Sequence, residues 1–303
     1  MTHPATAPRG AADQREYERR RVAEHYEHDP SIFRLVLDER LGYATGMFAS
    51  PDEDLDTAQA RKYAWIAEQL DIRPGERVLD VGCGWGSNLL YLAERTEGRL
   101  HGVTLSAQQR AFALDRAREL GVGDRVRIEQ LHVEDLDLAP ESLDAVLFVG
   151  SVVHMHNREE IYELVTRALV PGGRLLISDC FFPRVVRSDR DSSATHYIFF
   201  EALGYCRLLN LSEELALIEG AGLDIARVED LTSSYVLTLE RWIDNVRANR
   251  DRIEELSPGF SKLLQTYMTI ARLSFARRTA LEYMVVATKG VPRPRWPTPP
   301  IDR

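Results

Sequence analysis

The chain has 303 residues and a formal net charge of −9, with 38 Lys plus Arg against 47 Asp plus Glu. That length holds one large domain or two small ones, and the negative balance argues against a broad nucleic-acid surface in favour of a small-molecule partner, although the Arg19-Arg20-Arg21 cluster could still meet an anionic group. Cys83, Cys180 and Cys206 have neither disulfide-framework nor metal-ligand spacing, which points to a reducing cytoplasm. No window approaches the ~20 apolar residues of a membrane span, so stable membrane insertion is not expected.

Residues Met1 to Ala12, with Pro4, Pro8 and Gly10, read as a disordered leader without an apolar signal segment. Asp13 to Arg40 reads as two charged helices parted by Asp29-Pro30, a candidate face for self-association. Leu41 to Phe48 is too short and glycine-rich for a helix and reads as a functional loop; Thr57 to Leu70 reads as a helix. Alternating units follow. Strands are expected at Arg77–Val81, Leu100–Leu105, Val126–Leu131, Leu143–Val149 and Arg174–Cys180, with helices at Ser87–Thr96, Ser106–Leu120 and Arg158–Leu169. Ser106 with Gln109, and Asn157 with Glu160, suggest capping boxes, and Pro171-Gly172-Gly173 ends a helix and starts a strand. Between Phe181 and Asn210 the alternation stops, which reads as an insertion over the sheet. A helix from Ser212, a strand Leu223–Leu231, long helices between Leu237 and Ala276 and a strand Leu281–Ala287 lead to a Pro-rich tail from Val291. The domain plan is therefore 1–12 leader, 13–70 helices and covering loop, 71–290 core with a lid at 181–211, and 291–303 tail.

The most informative stretch is Arg77 to Gly86. An apolar strand ends in a turn with Gly82, Gly84 and Gly86, and a helix begins at Ser87. Glycines there let the backbone approach a ligand, and the helix start points its free amides at it. Glycine spacing alone is shared with dinucleotide sites. A G-x-G-x-G turn preceded by Asp80 is instead the form typical of class I S-adenosylmethionine methyltransferases, in which the acid can meet the cationic amino end of the cofactor.

Over His25 to Lys289 the chain resembles the cyclopropane-fatty-acid synthase and mycolic-acid methyltransferase family. His25-Tyr26, Phe33, Leu37-Asp38, Tyr43 to Phe48, "VLDVGCGWG", "GVTLSAQQ" and "SSYVLTLERW" occur in the family's order and approximate spacing. The resemblance implies an α/β class I methyltransferase (Rossmann-like) fold. Its sheet would be seven-stranded and mostly parallel, with an antiparallel last strand, N-terminal helices and a lid insertion. It implies S-adenosylmethionine as cofactor, with Asp80, Gly82 and Gly84 at the methionine end and Thr104, Leu105 and Gln109 at the ribose and adenosine edge. His132, Val133 and Glu134 would border adenine; Tyr43 and Ala44 would cover the cofactor, and Gly150 belongs to the same set. For Gln109 a plain helix cap is the alternative. Cyclopropane synthases hold a bicarbonate base through a cysteine loop, a glutamate, a histidine and a tyrosine. The first three positions are Thr45, Val153 and Ser178 here, and Tyr235 alone remains, so bicarbonate-assisted ring formation is not expected.

Methyl transfer from a sulfonium needs alignment and a dry pocket more than acid–base groups. An alkene nucleophile would leave a carbocation, which aromatic faces stabilise. Tyr197, Phe200, Glu201 and Tyr205 fall on neighbouring helical positions of the insertion, with Glu201 as proton acceptor or cation partner; ordinary core aromatics and a solvated Glu201 are the alternative. Tyr26 and Tyr235 match pocket tyrosines of the family, or are buried tyrosines with satisfied hydroxyls. His154, after the fourth strand, would be a general base for an oxygen or nitrogen nucleophile, or a structural histidine; His156 is given no role. Two enzyme readings therefore compete. One is C-methylation of an alkene in an apolar lipid or isoprenoid natural product, as the geranyl diphosphate and teleocidin C-methyltransferases do, with or without later cyclisation. The other is O- or N-methylation of a small metabolite, and a cofactor-binding protein without catalysis is a distant third.

Overall fold

The computed structural model describes residues 16–17, 20–21, 29–183 and 206–290. Asp29 caps the short helix α1 (Pro30–Arg34), its carboxylate accepting from the Ser31 amide at 2.8 Å with proline in the first turn. The helix ends at Arg34, short of the expected Arg40, and the chain continues in turns toward the glycine-rich loop. Helix α2 (Leu55–Leu70) starts on an Asp54 cap and ends at Asp71, which takes a left-handed conformation (φ 42°).

The core then alternates: β1 (Arg77–Val81), α3 (Ser87–Arg95), β2 (Arg99–Thr104), α4 (Ala107–Glu119), β3 (Val126–Gln130), β4 (Leu143–Val149), α5 (Arg158–Ala168) and β5 (Leu169–Phe181). After the insertion come α6 (Leu211–Gly220), β6 (Asp224–Asp230), α7 (Thr232–Ala248), α8 (Arg250–Leu256), α9 (Phe260–Ala276) and β7 (Leu281–Thr288). The described residues form one seven-stranded sheet in the order β3-β2-β1-β4-β5-β7-β6, parallel except that β7 runs antiparallel to β5 and β6. Chain order reverses between β1 and β4, so the loops after these strands open a crevice at one edge of the sheet, where open α/β sheets bind ligands.

Both faces are covered, which is why β1 and β4 read as near-continuous apolar runs. Ile66, Leu70, Leu89, Leu92 and Ala113 from α2, α3 and α4 cover one face; Ile161, Tyr162, Val165 and Ile218 from α5 and α6 cover the other. A separate core joins α7, α8 and α9 to α1 and to Trp85 of the glycine turn, with Phe33 and Trp85 rings 5.2 Å apart. Among the described residues, no helix is long and apolar enough to cross a membrane.

Several local expectations change. Ser106 accepts from the Gln109 amide, but the Gln109 side chain turns to Thr104 rather than back to the cap. Asn157 bonds the Glu160 side chain and makes no backbone cap; the reciprocal box lies instead at Asn210 and Glu213, at the start of α6. β5 already begins at Leu169, opposite Leu143, so Pro171-Gly172-Gly173 lies within it. Helix α7 starts at Thr232, ahead of Leu237, because Asp230 accepts from the Thr232 amide at the strand end. Tyr26, Tyr197, Phe200, Glu201 and Tyr205 lie outside the described residues.

One buried ion pair ties the loop after β4 to the far end of the insertion. Arg158 and Glu214, 1% and 0% exposed, bond each other; Arg158 also reaches the Val152 carbonyl at 3.1 Å and the Arg207 carbonyl, while Tyr162 donates to Glu214. Glu214→Gln leaves the guanidinium buried without its paired carboxylate and is expected to cost about 3 kcal/mol. Replacing both partners by apolar residues of similar volume should cost less, and urea melts of the two variants check this.

Candidate active site

The loop from Leu41 to Phe48 is pinned from several sides. The Gly42 amide donates to Asp38 at 2.5 Å, Gln59 Nε2 donates to the Ala44 carbonyl at 2.8 Å, and Tyr63 donates to Asp38 at 3.0 Å. Hydroxyls of α7 complete the hold: Thr238 accepts from the Gly46 amide and Ser234 from the Phe48 amide. A Cβ on Gly42 would lie 2.2 Å from the Tyr63 hydroxyl, so only glycine lets the loop pass this close. Fixed in this way, Tyr43 and Ala44 roof a cavity of about 1000 Å³, counting its mouth, at the switch point of the sheet.

The cavity is lined by Gly82 and Gly84 from the glycine turn, Thr104, Leu105 and Gln109 after β2, His132 and Val133 after β3, and Gly150 after β4. The structure thus brings together ten of the twelve predicted cofactor residues. The other two stand close by. Glu134 lies 3.8 Å from His132, and Asp80 lies one residue before Val81, where the lining begins. Thr104 donates to Gln109 Oε1 at 2.7 Å, which leaves the amide nitrogen facing Gly84, 3.8 Å from where a Cβ there would sit. Asp80 is 1% exposed, both its oxygens are without a hydrogen-bond partner, and burial pushes its pKa up to about 7. A buried carboxyl left this way matches a cationic amino group, so the residues present fit S-adenosylmethionine.

Lys62, which the sequence reading passed over, also lines this cavity. It is 0% exposed, donates to Gln59 Oε1 at 2.5 Å and stands 4.4 Å from the Tyr63 ring centre; burial brings its pKa down to about 8. The spacing Leu55, Ala58, Gln59, Lys62, Tyr63, Ile66 and Leu70 is one helical stripe and is the signal that could have found it.

A second cavity of about 950 Å³ shares Tyr43, Ala44, Gly150 and His154 with the first. Its walls include Tyr235, Tyr267, Phe275, Phe182 and Leu208. The rings of Tyr235 and Phe275 are 4.6 Å apart. His154, on a 3-10 turn, borders both cavities with Nδ1 3.5 Å from Cys206 Sγ. Thr45 and Val153 line this cavity too.

Two buried acids that the sequence reading passed over stand beside Tyr235 in this cavity. Asp179 and Glu282, 2% and 3% exposed, both line the second cavity. Glu282 accepts from Ser178 at 3.1 Å and Cys180 at 3.2 Å. Burial, then the charge of Asp179, pushes its pKa up to about 8. Burial also pushes Asp179 up to about 6, against the backbone amides of Cys180 and Val153 that favour its anion. An acid inside each apolar run, "LLISDCF" and "LEYMVVAT", was the available sequence signal.

Two outcomes are expected. Gly84 has φ +53° and only an ordinary contact at its Cβ position, with Gln109 Nε2 3.8 Å away, whereas a Cβ on Gly82 would lie 2.5 Å from Ser151. Gly84→Val should therefore lower cofactor affinity more than tenfold with about 1–2 kcal/mol of lost stability, while Gly82→Val should mainly unfold the chain; calorimetry and thermal melts separate the two. For Glu282, folding retains a proton that the unfolded chain loses above its ordinary 4.5, so its burial costs stability as pH rises from there to about 8. Glu282→Gln lacks this penalty and should raise Tm more at about pH 8.5 than at about pH 5.

Comparison with known proteins agrees with this geometry. A family model described as mycolic acid cyclopropane synthetase matches residues 13–283. A probable fatty acid methyltransferase of Mycobacterium tuberculosis is 29% identical over 281 residues, covering 90% of this chain, which spans 63% of that relative's length. The methyltransferase GfsG of Streptomyces halstedii is 33% identical over 215 residues, covering 70% of this chain and 76% of that protein. In fold, the cyclopropane synthase MmaA2 from Mycobacterium tuberculosis superposes with a TM-score of 0.83 at 20% identity, covering 89% of this chain and 98% of that one. The chain belongs to the mycolic acid cyclopropane synthetase family, among the S-adenosylmethionine-dependent methyltransferases.

Proposed function

We propose that the chain transfers a methyl group to an alkene carbon of an apolar acceptor, a prenyl-type or lipid chain, through a carbocation. The observation that carries this reading is the aromatic cavity that shares Tyr43, Ala44, Gly150 and His154 with the cofactor cavity. When bound, the cofactor supplies an electrophilic methyl group. The chain's own residues do the rest. The pinned loop and Trp85 exclude water above the cofactor cavity, and Val153, Leu208 and Ala271 offer apolar surface to an acceptor. Tyr235, Tyr267 and Phe275 place ring faces or edges around the cavity, and buried ring faces stabilise a nearby cation by about 1–2 kcal/mol. On sequence grounds Tyr197, Phe200 and Glu201 of the insertion, with Tyr26, belong to the same proposal as further aromatic and acidic groups around the cation.

The second reading, O- or N-methylation, is favoured by the position of His154 at the boundary of both cavities. There it would take the proton of a hydroxyl or amine. Incubation with deuterated-methyl cofactor and a panel of monounsaturated fatty acids and prenols, followed by mass spectrometry, locates the added group. On the alkene reading, Phe275→Leu keeps most of the apolar volume but loses the ring quadrupole, so kcat should fall about five- to thirtyfold. His154→Gln should then change kcat by less than about threefold, because an alkene needs no deprotonation before it attacks. A collapsed kcat in His154→Gln beside a normal one in Phe275→Leu rules against the carbocation.

A further inference from the structure

Glu282 projects from β7 into the second cavity from a setting that suits proton transfer. The antiparallel register sets it opposite Cys180 on β5, one residue from Asp179. Its two side-chain partners, the Ser178 hydroxyl and the Cys180 thiol, can rotate, so they tolerate the carboxyl in either protonation state. Asp179 differs. Its oxygens accept from the fixed backbone amides of Cys180 and Val153 at 2.9 and 3.2 Å, and Arg158 adds a positive charge nearby, an environment that holds the anion. Two acids whose surroundings push them apart are a standing charge and a proton carrier.

We propose that Glu282 is the proton acceptor of the acceptor cavity: neutral in the resting chain, ionised when the cofactor's sulfonium arrives next door, and re-protonated by the methylated cation. The proposal rests on the alkene reading above. The alkene's π pair forms the new bond to the methyl carbon, and the pair of the broken sulfur–carbon bond stays on sulfur. A C–H bond beside the cationic carbon then breaks. Its electron pair becomes the new double bond, and its proton goes to the Glu282 carboxylate. The next sulfonium to bind expels that proton to solvent, so one proton leaves per methyl transferred. Charge in this part of the chain passes from sulfur to carbon to the Glu282 proton, and the dry pocket never holds two added positive charges at once.

The ionisable groups acting on Glu282 are Asp179 and Cys180 on β5, Lys62 on α2 and Tyr235 on α7. Tyr43, Tyr267, His154 and Cys206 line the same cavity. With a resting value of about 8 for Glu282 and about 6 for Asp179, near pH 7.5 the first is largely protonated and the second largely ionised.

The test needs no acceptor. Binding of S-adenosylmethionine and of S-adenosylhomocysteine is measured by titration calorimetry at about pH 7.5 in phosphate and in Tris, whose ionisation enthalpies differ, which gives the protons released by each ligand. The two share the amino-acid end that meets Asp80, so the difference between them isolates the sulfonium. Wild type should release on the order of half a proton more with S-adenosylmethionine. Glu282→Gln should bring that difference to zero with an unchanged or higher Tm, and Ser178→Ala should keep it. Equal release for both ligands in wild type, or an excess that survives in Glu282→Gln and so comes from another buried group such as Asp80 or Lys62, overturns the proposal and leaves the alkene reading standing. A methyl group found on oxygen or nitrogen sinks the alkene reading instead, and the proton-release result still decides whether Glu282 is the carrier.

Discussion

The second cavity depends on the antiparallel pairing of β7 against β5. The parallel strands set the place of the cofactor cavity, because the reversal of chain order between β1 and β4 opens a crevice at the strand ends. The reversed last strand adds something that a parallel one would place elsewhere. It brings Glu282 opposite Cys180 and within reach of Ser178, so a residue near the end of the chain becomes part of a site built mainly by the loops after the central strands. Main-chain hydrogen bonds fix this register. A slip by one residue would turn Glu282 to the other face of the sheet.

Burying Asp179 and Glu282 side by side works against stability, as their raised proton affinities show. Perturbed acids concentrate at functional sites because the same desolvation that destabilises an ion makes it responsive to a nearby charge. Lys62 follows this logic on the cofactor side. It is buried against Gln59 and Tyr63, in the network that also pins the Leu41–Phe48 loop, so the roof of the cofactor cavity and its one buried lysine among the described residues share their supports. Fully bonded buried networks of this kind hold one geometry, which suits a reaction that depends on alignment.

The sequence by itself determined the fold class and the cofactor turn. Alternating strand and helix patterns leave few topologies, and Gly82, Gly84 and Gly86, all at positive φ, announce a backbone that only glycine adopts cheaply. Thr104 and Gln109 enter as site residues through the family resemblance, and only the fold shows that the Gln109 side chain bonds Thr104 at the cavity rather than turning back to the helix cap.

Only the tertiary structure decided the walls of the second cavity. Glu282 and Asp179 are far apart in sequence, each inside an apolar strand, and no local rule says which strands pair or in which register. The burial of Lys62 follows from which helical face α2 turns to the sheet, a choice made by packing against Ile66 and Leu70 rather than by charge. Patterns set by backbone conformation are local and legible in one dimension. Desolvation and charge coupling depend on neighbours brought from elsewhere in the chain, and those exist only once it has folded.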